Sequence, residues 1–202
     1  MKRYSLVIPV VIFFLIINTL YFWESKLGGY AMLLTLLLII TYIILSVSLF
    51  YQFYLAIREK FANRSRLIIS GIVATVLILS FFYPFGVINY QKFEAKDLLI
   101  AGREGVANCN TTLKLKANNN FIEQSVCFGV YEVHGRYSIK GDSIFFSNIQ
   151  LGRGENEYYQ FAVITKSEFQ DGGKILGELK RFKNYNDTLP HDLFITKNEF
   201  KK

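Results

Sequence analysis

Three long apolar runs, followed by a series of short alternating ones, divide this chain near residue 88. The first run, Leu6 to Trp23, has no charged residue and is close to the minimum length for crossing a hydrocarbon core of about 30 Å. The second runs from Tyr30 to Ile57, and the third from Leu67 to Ile88 with Pro84 and Gly86 near its end. A helix that is apolar on every side has no face to offer water, which is the pattern of a helix solvated by lipid. The pattern predicts three transmembrane helices, spanning 6–23, 30–57 and 67–88. Lys2 and Arg3 give the first run the basic start of a signal peptide. No small-residue cleavage site follows it, and Tyr21, Phe22 and Trp23 suit an interfacial aromatic belt, so it is read as an uncleaved span.

After a linker over 89–97 the hydrophobic period changes to two. "TTLKLKA" places Thr111, Leu113 and Leu115 on one face and Thr112, Lys114 and Lys116 on the other. "YEVHGRYSI" places Tyr131, Val133, Tyr137 and Ile139 on one face. "LLIAGRE", "SIFFS", "YYQFAVIT", "ILGELKRF" and "DLFIT" are also short and rich in β-branched or aromatic residues. Turn signals such as "ANNN", "KGD", "LGRGEN" and "QDGG" separate them. Alternation with this punctuation predicts an all-β domain over 98–202, a meander of about eight antiparallel strands. Closure into a barrel would remove the exposed strand edges.

Charge adds orientation. Residues 1–85 hold seven basic and two acidic residues, so five of the seven net positive charges lie beside the apolar runs. The segment between the second and third runs carries Arg58, Lys60, Arg64 and Arg66 against one acid, Glu59; the segment between the first two is balanced. The positive-inside rule puts Lys2, Arg3 and residues 58–66 in the cytoplasm. The β domain is then expected outside it, periplasmic or extracellular, on a multi-pass cytoplasmic (inner) membrane protein. The spans contain no Asp, Glu, Lys, Arg or His, which disfavours a transporter or pump and favours anchoring. Lys180, Arg181 and Lys183 form the one basic cluster of the β domain, read as a solvated strand face, and no nucleic-acid partner is expected.

The segments "L-x-L-x-x-N-N-x-F", Leu113 to Phe121, and "GRYSIKGDSIFF", Gly135 to Phe146, resemble the hairpins of small lipocalin-like barrels. Such domains occur in bacterial envelope proteins of the copper-resistance-lipoprotein type, and in a family of bacterial membrane-anchored proteins built on the same plan. The resemblance implies the barrel fold and supplies no reaction and no functional residue. This chain lacks the lipidated-cysteine signal of the lipoproteins. A second resemblance is to anti-phage membrane effectors, in which N-terminal helices carry a small barrel that binds a cyclic oligonucleotide. That function requires the barrel to face the cytoplasm.

The only cysteines are Cys109 and Cys127. A hairpin turning on Ala117 to Asn119 would pair Leu115 with Phe121, Leu113 with Glu123, Thr111 with Ser125, and Cys109 with Cys127. Directly opposed residues of a non-hydrogen-bonded pair have Cα atoms about 4.5 Å apart, within reach of a disulfide. An oxidising compartment favours that bond. His134 and His191 complete a Cys2His2 inventory, but the spacing is not that of a zinc finger, and both histidines are expected as ordinary surface or turn residues. No metal or other cofactor is expected. No G-x-S-x-G, no phosphate loop and no paired carboxylates stand out, so an enzyme is not expected. The chain reads as a membrane-anchored binding, interaction or sensor module of the cell envelope, or as a structural or assembly subunit there. Its expected partners are the lipid bilayer, a small apolar ligand if the barrel is hollow, and an envelope protein or a second copy through the helices. The sequence does not decide between a hollow and a filled barrel.

Overall fold

The computed structural model describes residues 6–152, 157–167 and 175–200. The chain forms two compact units: Met1–Glu24 with Tyr30–Gln91, and Ser25–Gly29 with Lys92–Lys202. Ser25–Gly29, expected as a loop of the helical region, thus belongs with the β domain.

The helical unit holds α1 (Val7–Thr19), a 3-10 turn (Leu20–Phe22), the start of a one-turn helix α2 (Glu24–Leu27), α3 (Tyr30–Arg58) and α4 (Arg64–Phe82). Two helices, α3 and α4, are long and apolar enough to cross a membrane, at 29 and 19 residues. The first apolar run differs from expectation, because its α-helix has 13 residues, about 20 Å at 1.5 Å per residue. The run continues beyond it as the 3-10 turn Leu20–Phe22, and polar side chains bond back into the last turn of the α-helix. Thr19 Oγ1 donates to Leu15 O at 2.8 Å and Asn18 Nδ2 to Phe14 O at 2.8 Å, both drawing on carbonyls of the last turn. The third run is shifted. Asn63 caps α4 by accepting from Arg66 N at 3.3 Å, so the helix begins before Leu67. It ends at Phe82 because Pro84 pushes Tyr83 out of the helical region, to φ −128° and ψ 69°. Residues 83–88, expected inside the span, form a turn in which Val87 N donates to Asn18 Oδ1 at 2.9 Å.

Val10, Phe13 and Ile17 of α1 pack with Leu45 of α3 and with Val73 and Leu77 of α4. Most other large apolar side chains of α3 point outward, among them Leu33, Leu36, Ile43, Val47 and Phe50. Between α3 and α4, Lys60 and Phe61 adopt φ of 51° and 60°, and Phe61 N closes the helix end on Ala56 O at 2.8 Å. Arg66 ties this turn down through Glu59 at 3.1 Å and Gln52 at 2.7 Å. Lys2 and Arg3 lie outside the described residues.

The β unit is a closed antiparallel barrel of eight strands in sequential order. They are β1 (Asp97–Glu104), β2 (Asn110–Lys116), β3 (Asn120–Val126), β4 (Val130–Lys140), β5 (Ser143–Gln150), β6 (Phe161–Thr165), β7 (Gly177–Phe182) and β8 (His191–Asn198). Period-two alternation sends Leu99 and Ala101 inward from β1, Leu113 and Leu115 from β2, and Val133 and Tyr137 from β4. Ile144 and Phe146 of β5, Leu179 of β7, and Leu193 and Ile195 of β8 complete this core around Phe121. Gly135 makes room for that ring, since a Cβ there would lie 2.6 Å from Phe121 Cε1. The register of β4 against β5 shifts at the same place, between His134 and Arg136. Two strands are shorter than expected: β6 begins at Phe161 rather than Tyr158, and β7 at Gly177 rather than Ile175.

Candidate functional site

The β2–β3 hairpin has the expected register. Leu115 faces Phe121, Leu113 faces Glu123 and Thr111 faces Ser125. Its loop is Ala117 to Asn119, with Asn119 at φ 61° and Asn118 Oδ1 accepting from Asn120 N at 3.2 Å. Carried one step past the ladder, this register brings Cys109 and Cys127 to disulfide distance, with Cα atoms 4.5 Å apart.

Inside the barrel, three strands and a connection converge on one polar cluster. Arg181 Nη1 of β7 meets Glu123 Oε1 of β3 at 2.6 Å, and both side chains are nearly or fully buried. Tyr158, in the β5–β6 connection, donates its hydroxyl to the other oxygen, Glu123 Oε2. The Arg181 guanidinium lies 4.2 Å from the ring centre of Tyr159, and its Nε donates to His191 O at 3.4 Å. Burial pushes the Tyr158 hydroxyl well above its ordinary range, and the neighbouring Glu123 carboxylate pushes it further. Burial is the largest influence on Arg181 and pulls its pKa down, but the charge and hydrogen bond of Glu123, together with Tyr159 and Tyr158, more than offset it and leave the pKa raised. Each carboxylate oxygen of Glu123 thus has a partner within the cluster. The Tyr158 ring stacks on Phe121 at 5.3 Å and meets Phe146 edge-on at 5.4 Å. Phe121, Phe146 and Tyr158 thus form one aromatic group in the barrel.

The cluster was hidden in the sequence. Arg181 stood in a basic run read as solvated, but period two separates it from Lys180, and β7 ends at Phe182, before Lys183. Arg181 turns inward and is buried, whereas Lys180 and Lys183 remain outside. Lys116, expected on the solvated face of β2, is also buried. Its Nζ lies 2.6 Å from Glu94 Oε2 and 2.8 Å from Asp97 Oδ1. Burial is the largest influence and lowers its pKa, but the hydrogen bonds it donates to Asp97 and Glu94, with the charges of both acids, overcome this and raise it. The displacement coincides with a register irregularity between Asp97 and Leu99. The acids at 94 and 97, in what reads as a linker, were the signal available.

His134 and His191 are far apart in the ladder. His134 lies on β4 beside Glu132, 3.1 Å away, and hydrogen bonding from the imidazole lowers the Glu132 pKa against the effect of burial. His191 opens β8 rather than sitting in a turn, and its ring lies 5.5 Å from that of Tyr159. Among the described residues, no three His, Cys, Asp or Glu side chains are grouped to hold a metal. The glycine turn "GRGEN" lies mostly outside the described residues.

In the helical unit, a groove of about 240 Å³ between α3 and α4 is lined by Tyr42, Ser46, Leu49, Phe50, Ala74 and Leu77, among others. Its walls carry no charged residue. No protein family, curated protein or solved structure matches the chain.

Proposed function

We infer that this chain is a multi-pass membrane protein whose barrel serves, outside the cytoplasm, as an interaction or assembly module of the cell envelope. The observation that carries the reading is the opposite placement of apolar side chains in the two units. In the most apolar stretch of α3, 6% of residues are buried, whereas the barrel turns its apolar residues inward. Helices of a water-soluble core would bury that surface, so lipid is its natural solvent. Orientation rests on Arg58, Lys60, Arg64 and Arg66 between α3 and α4. Parity agrees with it. Ser25–Gly29 belongs to the barrel unit, and two crossings by α3 and α4 return the chain to the same side before Lys92. An oxidising compartment would convert the Cys109–Cys127 pair into a disulfide.

The aromatic group of Phe121, Phe146 and Tyr158 in the barrel supports action through its outer surface, and so favours a structural or interaction role over a cup for a small apolar ligand. The lipocalin-like description is kept as a likeness of plan, eight strands in a closed meander. A barrel sensing a cyclic oligonucleotide would need the cytoplasmic side, which the charge pattern disfavours. The test is thiol labelling in intact cells with a membrane-impermeant maleimide. Labelling of Cys109 and Cys127 only after treatment with a reductant supports the reading. Free thiols that become reachable only when the inner membrane is permeabilised would overturn it and restore the cytoplasmic alternative.

A further inference from the structure

In a barrel of sequential strands, connections alternate between two ends, so β1–β2, β3–β4, β5–β6 and β7–β8 turn at the same one. Each of these connections exposes large apolar side chains: Val106, Phe128, Leu151, and Tyr185 with Leu189. Val106, Phe128, Tyr185 and Leu189 are between 73% and 91% exposed. The opposite end is unlike this one. Its turns are Ala117-Asn118-Asn119 and Gly141-Asp142, and among its described residues outside the strands the large exposed apolar groups are Leu176 and Phe93, the latter in the segment that enters β1 there. Four neighbouring loops that all present apolar tips form a patch that calls for an apolar partner.

Two further observations indicate which partner. Phe128 and Ala107 hold left-handed backbone conformations, φ 55° and 58°, which cost a side-chain-bearing residue energy. The Cys109–Cys127 pair joins their two loops, so Phe128 and Val106 project from fixed turns. The same end also carries Ser25–Gly29. Gly28 bridges Val130, and Gly129 sits so close that a Cβ on it would lie 2.5 Å from Gly28 O. Gly29 is followed directly by Tyr30, the first residue of α3. Where α3 crosses a bilayer, a segment that enters it at Tyr30 lies at the bilayer surface.

We propose that this end of the barrel rests on the lipid interface of its own membrane, with Phe128, Val106, Tyr185 and Leu189 among the headgroups. The proposal rests on the membrane reading above. Aromatic and aliphatic tips of this kind partition into the interfacial region. The end with the polar turns then faces away from the lipid and is the one open to envelope partners.

The test uses the full chain in phosphatidylcholine vesicles. Trp23 is the only tryptophan, so Trp23→Phe gives a silent background. Phe128→Trp or Leu189→Trp reports on one end of the barrel and Asn118→Trp on the other. All three positions are exposed, and an unchanged thermal transition verifies that each variant is folded. Lipids brominated near the headgroup end of the acyl chain should quench residues 128 and 189 by about twofold and leave residue 118 nearly unchanged. Quenching at 128 no greater than at 118 overturns the proposal, as does quenching at 128 without 189. An alkaline carbonate wash separates the two levels. Release of the chain defeats the membrane reading itself, whereas a retained chain without quenching defeats only the lipid-facing end.

Discussion

The helical unit and the barrel use the same kinds of apolar residue in opposite ways. In α3, leucines, isoleucines and phenylalanines radiate outward, while in the barrel the matching residues meet at a centre. Polar groups follow the reverse rule. Several serines and threonines of the helices bond back to carbonyls four residues earlier, as Thr35 does to Ala31 and Ser46 to Tyr42. The barrel buries the charges of Arg181 and Lys116 against counter-charges, Arg181 with Glu123, and Lys116 with Glu94 and Asp97. The contrast shows that hydrophobicity alone does not define a core. A core is defined by which solvent the apolar face must avoid, and a charge taken out of water needs a counter-charge in contact with it.

The sharpest way to break the barrel side of this contrast is Arg181→Met. It leaves Glu123 buried without its cation, and unfolding of the full chain in detergent should show a loss of about 3–5 kcal/mol. The double variant Glu123→Met/Arg181→Met should recover most of that loss, because the pair is costly mainly when halved. If the double variant is as unstable as the single one, the cluster holds more than an ion pair. On the helical side, Leu36→Asp at an outward position of α3 should cost about 2.5–3.5 kcal/mol of membrane insertion, read by an insertion assay. Ile139→Asp, an exposed apolar position on the barrel wall, should change stability by no more than about 0.5 kcal/mol. Equal effects at the two positions would remove the distinction between lipid and water.

Cys127→Ser should cost about 2–3 kcal/mol under oxidising conditions, since the closed loop is short, and nothing under reducing ones. Smaller still is the alkaline response. Tyr158 and Lys116 both have folded pKa values above their unfolded ones. The stability they contribute is therefore fully present below about pH 10 and is lost as pH rises through the folded values. Tyr158→Phe should flatten that decline in a pH series of unfolding midpoints. A decline that begins near neutrality instead would point to a different group.

Much of the barrel was legible because its local signals agree. Alternation in "TTLKLKA" and the turn at Asn118 specify one register, and that register alone juxtaposes Cys109 with Cys127. The inward cluster was not legible, because period two states that Arg181 and Lys180 face opposite ways but not which way is in. Only closure of the sheet, with Leu179 and Arg181 on the same side, decides it. The ends of the apolar runs were equally obscure. Composition carries the third run to Ile88, whereas Pro84 ends the helix at Phe82 and Asn63 starts it early.

The sequence by itself determined the division into an apolar helical part and a β meander, the number and order of the strands, and the pairing of the cysteines. All of these follow from periodicity and from turn chemistry acting over a few residues. The tertiary structure alone decided that Phe121, Phe146 and Tyr158 pack together in the barrel, and that Lys116 and Arg181 are buried. It alone decided too that Ser25–Gly29 joins the β unit. These depend on contacts between residues far apart in the chain, such as Glu123 with Arg181 and Gly28 with Val130, which no local pattern encodes.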